Sequence, residues 1–208
     1  MAHVRLWPGP TDRALFLGKT GSGKTFAMLR LLGAYYRVKQ IQILDTKGDS
    51  LIRRLDAPVA RRLRDVARYR WPDYPVVVYR PDGEELADKN YLDAWCDWVY
   101  RRGHTIGVID EVSQVAEETK PGPGFLNAVT RGRDKGVSVW MATQRPRRIP
   151  AICYTESEYI YVFWLADKRD RERVAEFTLP DVAEEVRDPH GFWLVRQGAR
   201  QATYIRQL

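Results

Sequence analysis

The sequence predicts one α/β domain over residues 1–208: a central, mostly parallel sheet flanked by helices and ending in a C-terminal β-hairpin. Three observations predict it. Short apolar runs alternate with amphipathic stretches, the βα rhythm of a parallel sheet covered on its faces. A glycine-rich turn, Gly18 to Thr25, follows one of these runs and opens an amphipathic stretch. A further run, Thr105–Ile109, ends in two adjacent acids, Asp110 and Glu111.

Residues 13–17 read as the first strand and 25–36 as the helix after it. Gln40–Leu44 is a second apolar strand. Residues 50–70 are arginine-rich and read as helix broken near Pro58, because proline cannot sit inside a helix without removing a hydrogen bond. Val76–Tyr79 is a short strand, and residues 88–101 form a helix with Trp95, Trp98 and Val99 on one side. After the Thr105–Ile109 strand, Pro121-Gly122-Pro123-Gly124 marks a loop that leads into a helix over about 125–131. Residues 137–142 and 159–165 are two more strands. Residues 191–196 and 201–205 alternate around Gln197-Gly198 and predict the hairpin. The core motifs thus fall within 13–146, and the last strands within 158–208.

Composition narrows the function classes. With 44% hydrophobic and 29% charged residues in 208, the chain has the make-up of a soluble domain with one well-buried core. Its 34 Lys+Arg against 27 Asp+Glu give +7, which favours a polyanionic partner without naming one. Cys96 and Cys153 lie apart, outside any CxxC, and read as reduced core residues. His3, His104 and His190 have no ligand spacing, which argues against a structural metal site. Residues 1–10 lack a signal-peptide apolar region, and the most apolar run, 159–166, is less than half the ~20 residues a transmembrane helix needs. The expectation is a soluble, intracellular protein without a transmembrane segment.

Gly18-Lys19-Thr20-Gly21-Ser22-Gly23-Lys24-Thr25 matches GxxxxGK[ST] in full. Its glycines let the loop fold back so that backbone N–H groups point at phosphate oxygens, and the helix that follows adds its positive dipole end. Lys24 is placed to reach the β- and γ-phosphates of ATP and the Thr25 hydroxyl to bind Mg²⁺. A dinucleotide fingerprint fails, because Phe26 stands where GxGxxG needs glycine. In a P-loop protein the strand ending at Asp110 lies beside the first and brings that carboxylate to Mg²⁺, while Glu111 serves as general base for the attacking water. The blander alternative is that both acids open the next helix. Residues 137–144 form a strand expected between the other two, placing Gln144 against the γ-phosphate or the water as a sensor. A GTPase reading fails, since the TKxD-like and DxxG-like segments overlap within Asp45 to Asp49 and precede the Asp110 strand.

Four blocks together resemble the FtsK–HerA superfamily of DNA-pumping ATPases, in particular the genome-packaging ATPases of membrane-containing icosahedral viruses. They are Gly18 to Thr25, Leu44-Asp45-Thr46-Lys47-Gly48-Asp49, Ile109-Asp110-Glu111, and Thr130-Arg131-Gly132-Arg133 leading into Ala142-Thr143-Gln144-Arg145-Pro146. The resemblance implies a RecA-like, ASCE-type ATPase core working as a homo-oligomeric ring, expected as a hexamer, around double-stranded DNA that it holds without reading sequence. It also implies an arginine finger supplied to the neighbouring subunit, for which Arg133 ranks first, Arg131 second and Arg145 third. The alternative for all three is contact with DNA phosphates or solvent. Capsid or membrane-vertex proteins are the implied docking partners, and host cytoplasm or virion the implied location.

DNA contacts are expected to be phosphate-directed. Arg53, Arg54, Arg61, Arg62, Arg64, Arg68 and Arg70 are candidates, as are Arg145, Arg147 and Arg148; the first group reads equally as a solvated helix face or a subunit interface. Trp71, Tyr74, Trp95 and Trp98 read as core packing rather than stacking platforms. The leading function is ATP hydrolysis coupled to packaging of a viral genome. Its rivals are an FtsK–HerA-like translocase in conjugation or DNA processing, a small-molecule kinase, and a non-hydrolysing assembly switch.

Overall fold

The computed structural model describes residues 7–208; His3 and the first part of the N-terminal stretch lie outside them. Among the described residues there are nine strands: β1 (Ala14–Leu17), β2 (Gln40–Leu44), β3 (Val59–Ala60), β4 (Val76–Tyr79), β5 (Thr105–Ile109), β6 (Ser138–Thr143), β7 (Tyr159–Val162), β8 (Phe192–Arg196) and β9 (Thr203–Ile205). They form one sheet in the order β3-β4-β2-β5-β6-β1-β7-β8-β9. Every pairing from β3 to β7 is parallel. The terminal β8–β9 hairpin joins β7 antiparallel. β6 therefore lies between β5 and β1 as expected, and it is β6, not the Asp110 strand, that directly adjoins β1 on that side.

The helices are α1 (Lys24–Leu32), α2 (Leu63–Val66), α3 (Gly83–Ala87), α4 (Lys89–Arg102), α5 (Val112–Val115), α6 (Pro123–Arg131), α7 (Ile152–Thr155) and α8 (Lys168–Phe177). Because side chains alternate along a strand, β1 feeds two cores. Phe16 packs with Ile43, Val108 and the α1 residues Met28 and Leu31 on one face. Leu15 and Leu17 pack with Trp95 and Val99 of α4 and Phe125 of α6 on the other. Both cysteines are buried and free. Trp95 is core and Trp98 packs against it, whereas Tyr74 is exposed and lies edge-on to Tyr69. Among the described residues no helix is long and apolar enough to cross a membrane.

Tyr74 thus departs from its expected core position, two expected elements need correction and one helix had no expectation. α1 stops at Leu32, with Gly33 at its C-cap donating to the Leu29 carbonyl, and turns fill 33–38. Residues 50–70 are not a broken helix. They hold a 3₁₀ turn, β3 and α2, because the sheet edge captures the chain at Pro58: the Pro58 carbonyl accepts from Val78 N–H and that of Ala60 from Arg80 N–H. α8 was not foreseen. It buries little besides Val174, so its apolar periodicity is faint, and Asp167 starts it by capping the Arg169 N–H at 2.9 Å.

At the N-terminal ends of the strands, Arg13 is only 8% exposed. Its guanidinium meets Glu158, Glu156 and the Val129 carbonyl. Glu158 also takes Arg133. Arg13→Met is expected to destabilise the fold by about 3 kcal/mol, the low end for stripping one partner from a buried pair because Arg133 remains. A urea midpoint shift without a change in slope is the measurement.

Candidate functional site

The segments that follow β1, β2 and β5 converge on a cavity of about 660 Å³ lined by Thr20, Gly21, Gly23, Lys24, Thr25, Lys47, Asp49 and Asp110. Phe26, Arg30, Phe163, His190, Gln207 and Leu208 also line it. The loop after β1 is pinned at its base, Gly18 N–H to the Thr143 carbonyl (3.2 Å) and Lys19 N–H to the Trp164 carbonyl (3.0 Å). It then reverses through Gly21 and Gly23, whose φ values of 82° and 97° suit glycine alone. α1 begins at Lys24 with no side-chain cap and no acid in its first turn, so its leading N–H groups face the cavity unclaimed by side chains. Such a loop is shaped to receive phosphate. Lys24 lies within this wall, 6% exposed. Burial lowers its pKa and Lys47 lowers it further, against the opposing pull of Glu111, Asp49 and Asp110.

Asp110 is 5% exposed and has no ion-pair partner among the described residues. The Thr46 amide (3.0 Å), Thr46 hydroxyl (2.9 Å) and Lys47 amide (3.3 Å) donate to it. Burial nevertheless pushes its carboxyl up to about 7, helped by Asp45 and opposed by the Thr46 bonds. A buried acid in this condition suits a cation. The Thr25 hydroxyl stands nearby on the cavity wall, 3.4 Å from Asp49.

Glu111 is held differently. Its Oε1 accepts from the Thr143 and Ser113 hydroxyls, and its Oε2 from the Lys47 ammonium and the Gln144 amide. Burial would raise its pKa, but Lys47, Thr143 and Ser113 together hold it below the usual carboxylate value. The Gln144 side chain reaches back to the Thr20 hydroxyl at 2.5 Å, tying the end of β6 to the phosphate loop. Asp110, Glu111, Gln144 and residues 18–25 are therefore brought together.

The two leading finger candidates are not at this site. Arg131 ends α6 and Arg133 sits in the turn before β6, at the opposite end of the strands from the cavity. Arg145 follows Gln144 and lines a separate depression with Glu118, Arg147, Arg148, Asp167 and Asp170.

Sequence reasoning singled out residues 44–49 as a block but gave them no role. Asp45 organises that turn, accepting from the Gly48 and Asp49 amides while paired with Arg80 at 2.6 Å. Thr46 and Lys47 are thereby presented to the two acids. His190 was also missed. It adopts φ 62° and sits against Gly23, and an isolated histidine gives no sequence signal for this.

No family model matches the chain. It is 29% identical over 184 residues to the DNA packaging ATPase P9 of Enterobacteria phage PRD1, covering 88% of this chain and 77% of that protein. The genome packaging NTPase B204 of Sulfolobus turreted icosahedral virus 2, solved with AMPPCP, superposes with a TM-score of 0.76 at 18% identity, over 97% of this chain and 100% of that one. VirB4 of Thermoanaerobacter pseudethanolicus gives 0.71 at 11% identity, over 94% and 89%. By sequence the chain is similar to a phage DNA packaging ATPase, and it shares its fold with a viral genome packaging NTPase and with VirB4.

Proposed function

We propose that the chain is an ATP-hydrolysing motor that moves double-stranded DNA into a viral capsid, working as a homo-oligomeric ring, most simply a hexamer. The observation that carries the reading is one cavity lined by an anion-shaped loop and an unpaired buried acid, with a second acid held ionised behind the cavity-lining Lys47. The PRD1 relative supplies the DNA packaging context.

In this reading the backbone from Gly18 to Thr25 cradles the phosphates, with Lys24 on the β- and γ-groups. Thr25 and Asp110 would hold Mg²⁺, which neutralises phosphate charge when bound. Among the described residues no group of three or more His, Cys, Asp or Glu could hold a metal alone, so the nucleotide itself would complete the shell. Glu111 takes the proton of the attacking water as the water oxygen bonds the γ-phosphorus and the bond to ADP breaks. Gln144, tied to both Thr20 and Glu111, senses the change. Arg133, with Arg131 second, acts in the site of the neighbouring subunit. Capsid or membrane-vertex proteins are the docking partners in the host cytoplasm or virion. An FtsK–HerA role in conjugation or DNA processing would use the same site, but the sequence relative favours packaging.

For DNA, the arginines from Arg53 to Arg70 fit best. All seven are exposed, and only Arg68 has an ion-pair partner, Asp65, among the described residues. Arg145, Arg147 and Arg148 instead share their depression with acids. Turnover measured with and without duplex over a salt series tests the whole reading. DNA is expected to raise turnover and salt to erase the gain. Turnover indifferent to DNA in an assembled ring would sink the motor. Replacing Arg61, Arg62 and Arg64 together by Gln is expected to flatten the log–log salt dependence of DNA binding by about 0.9 per lost phosphate contact.

A further inference from the structure

Glu111, the base of the reading above, is 2% exposed and is not among the residues lining the cavity. A carboxylate offers about four acceptor positions, and here four donors take them. Thr143 and Ser113 hold Oε1; Lys47 and the Gln144 amide hold Oε2. No position is left for a water. Among these donors, Lys47 is the one with somewhere else to go. Thr143 is 0% exposed on β6, Ser113 is fixed in α5, and the Gln144 donor is backbone. The Lys47 side chain is 27% exposed, ends a flexible stem and lines the cavity beside Lys24.

We propose that Lys47 covers Glu111 while the terminal-phosphate position is empty, and leaves it for the γ-phosphate of a bound nucleoside triphosphate, opening Glu111 Oε2 to the attacking water. A triphosphate offers the ammonium a competing anion within the same cavity, and a diphosphate does not reach as far. Lys47 is thus a phosphate-binding and positioning residue that couples uncovering of the base to the presence of the bond to be broken. The idea rests on the nucleotide-site reading, not on the DNA reading. The arrangement of the turn supports it: the Lys47 backbone is anchored by donation to Asp110 and by the Asp45 bonds to Gly48 and Asp49, so only the side chain needs to move.

The test is the affinity of the full chain for AMPPCP and for ADP in four forms: wild type, Lys47→Met, Glu111→Gln and the double variant. Comparing Glu111→Gln with the double variant removes the complication of an unpaired carboxylate. There, loss of Lys47 is expected to weaken AMPPCP by about ten- to hundredfold, the size of one charge-assisted hydrogen bond, and ADP by less than about twofold. Glu111→Gln is expected to tighten AMPPCP more when Lys47 is present than when it is Met, because only then is a held ammonium released. Equal losses for AMPPCP and ADP, or none, would overturn the phosphate contact. An identical effect of Glu111→Gln in both backgrounds would overturn the cover. ADP affinity reports that each variant is folded. A wild type that binds neither nucleotide would instead remove the nucleotide-site reading itself.

Discussion

Glu111→Gln is expected to lower ATP turnover by about 10²–10⁴-fold while nucleotide still binds. The amide keeps the shape of the carboxylate but cannot accept a proton at neutral pH. Burial alone would leave Glu111 protonated more readily, yet Lys47, Thr143 and Ser113 keep its pKa below the ordinary value, so the wild-type group is ionised at pH 7. Asp110, one residue earlier, has the opposite condition: burial raises it to about 7 and no ammonium or guanidinium among the described residues pairs with it. The two neighbouring acids are thus prepared for different tasks. Asp110→Asn should therefore weaken Mg²⁺-dependent nucleotide binding, whereas Glu111→Gln should not weaken binding but should remove the chemical step. Single-turnover hydrolysis beside equilibrium nucleotide binding separates the two. Residual turnover within about tenfold of wild type would place the base elsewhere.

Much of this site was legible because each motif is local. Gly18 to Thr25 needs only the glycines and the flanking apolar run, and Ile109-Asp110-Glu111 needs only a strand followed by acids. β2, β4 and β5 match their expected bounds because buried parallel strands are continuous apolar runs. Where the sequence was hard to read, the deciding interaction was long-range. β3 exists because the Pro58 and Ala60 carbonyls are claimed by the Val78 and Arg80 amides, in and just after β4. The arginines around it therefore became an exposed, mostly unpaired stretch and not a helix face. The role of Lys47 depends on Asp45 folding the 45–49 turn and on β5 lying next to β2, neither of which the spacing of Thr46-Lys47 reveals. Gln207 and Leu208 reach the cavity beside the glycine loop only because the terminal hairpin brings the chain back past β7.

Arg133→Ala is expected to lower turnover of the assembled ring by about 10³–10⁵-fold, the effect of removing a trans-acting guanidinium from phosphoryl transfer. Arg133 precedes β6 and Gln144 follows it, and a six-residue strand at ~3.3 Å per residue puts roughly 17 Å between its ends. The guanidinium therefore cannot serve the cavity of its own subunit. Its contact with Glu158, itself fixed by Arg13, holds it half-exposed at the far edge of the domain, where a neighbouring copy could meet it. Mixing two inactive proteins separates this from a structural role. A ring containing both Arg133→Ala and Glu111→Gln subunits includes sites where an intact Glu111 faces an intact Arg133 from next door, so activity should return on mixing. If Arg133 acts within its own subunit, or only supports the fold through Glu158, each mixed site keeps its own defect and no activity returns. Arg131→Ala, which removes the second candidate, should then have a small effect, and a large one would transfer the role to Arg131.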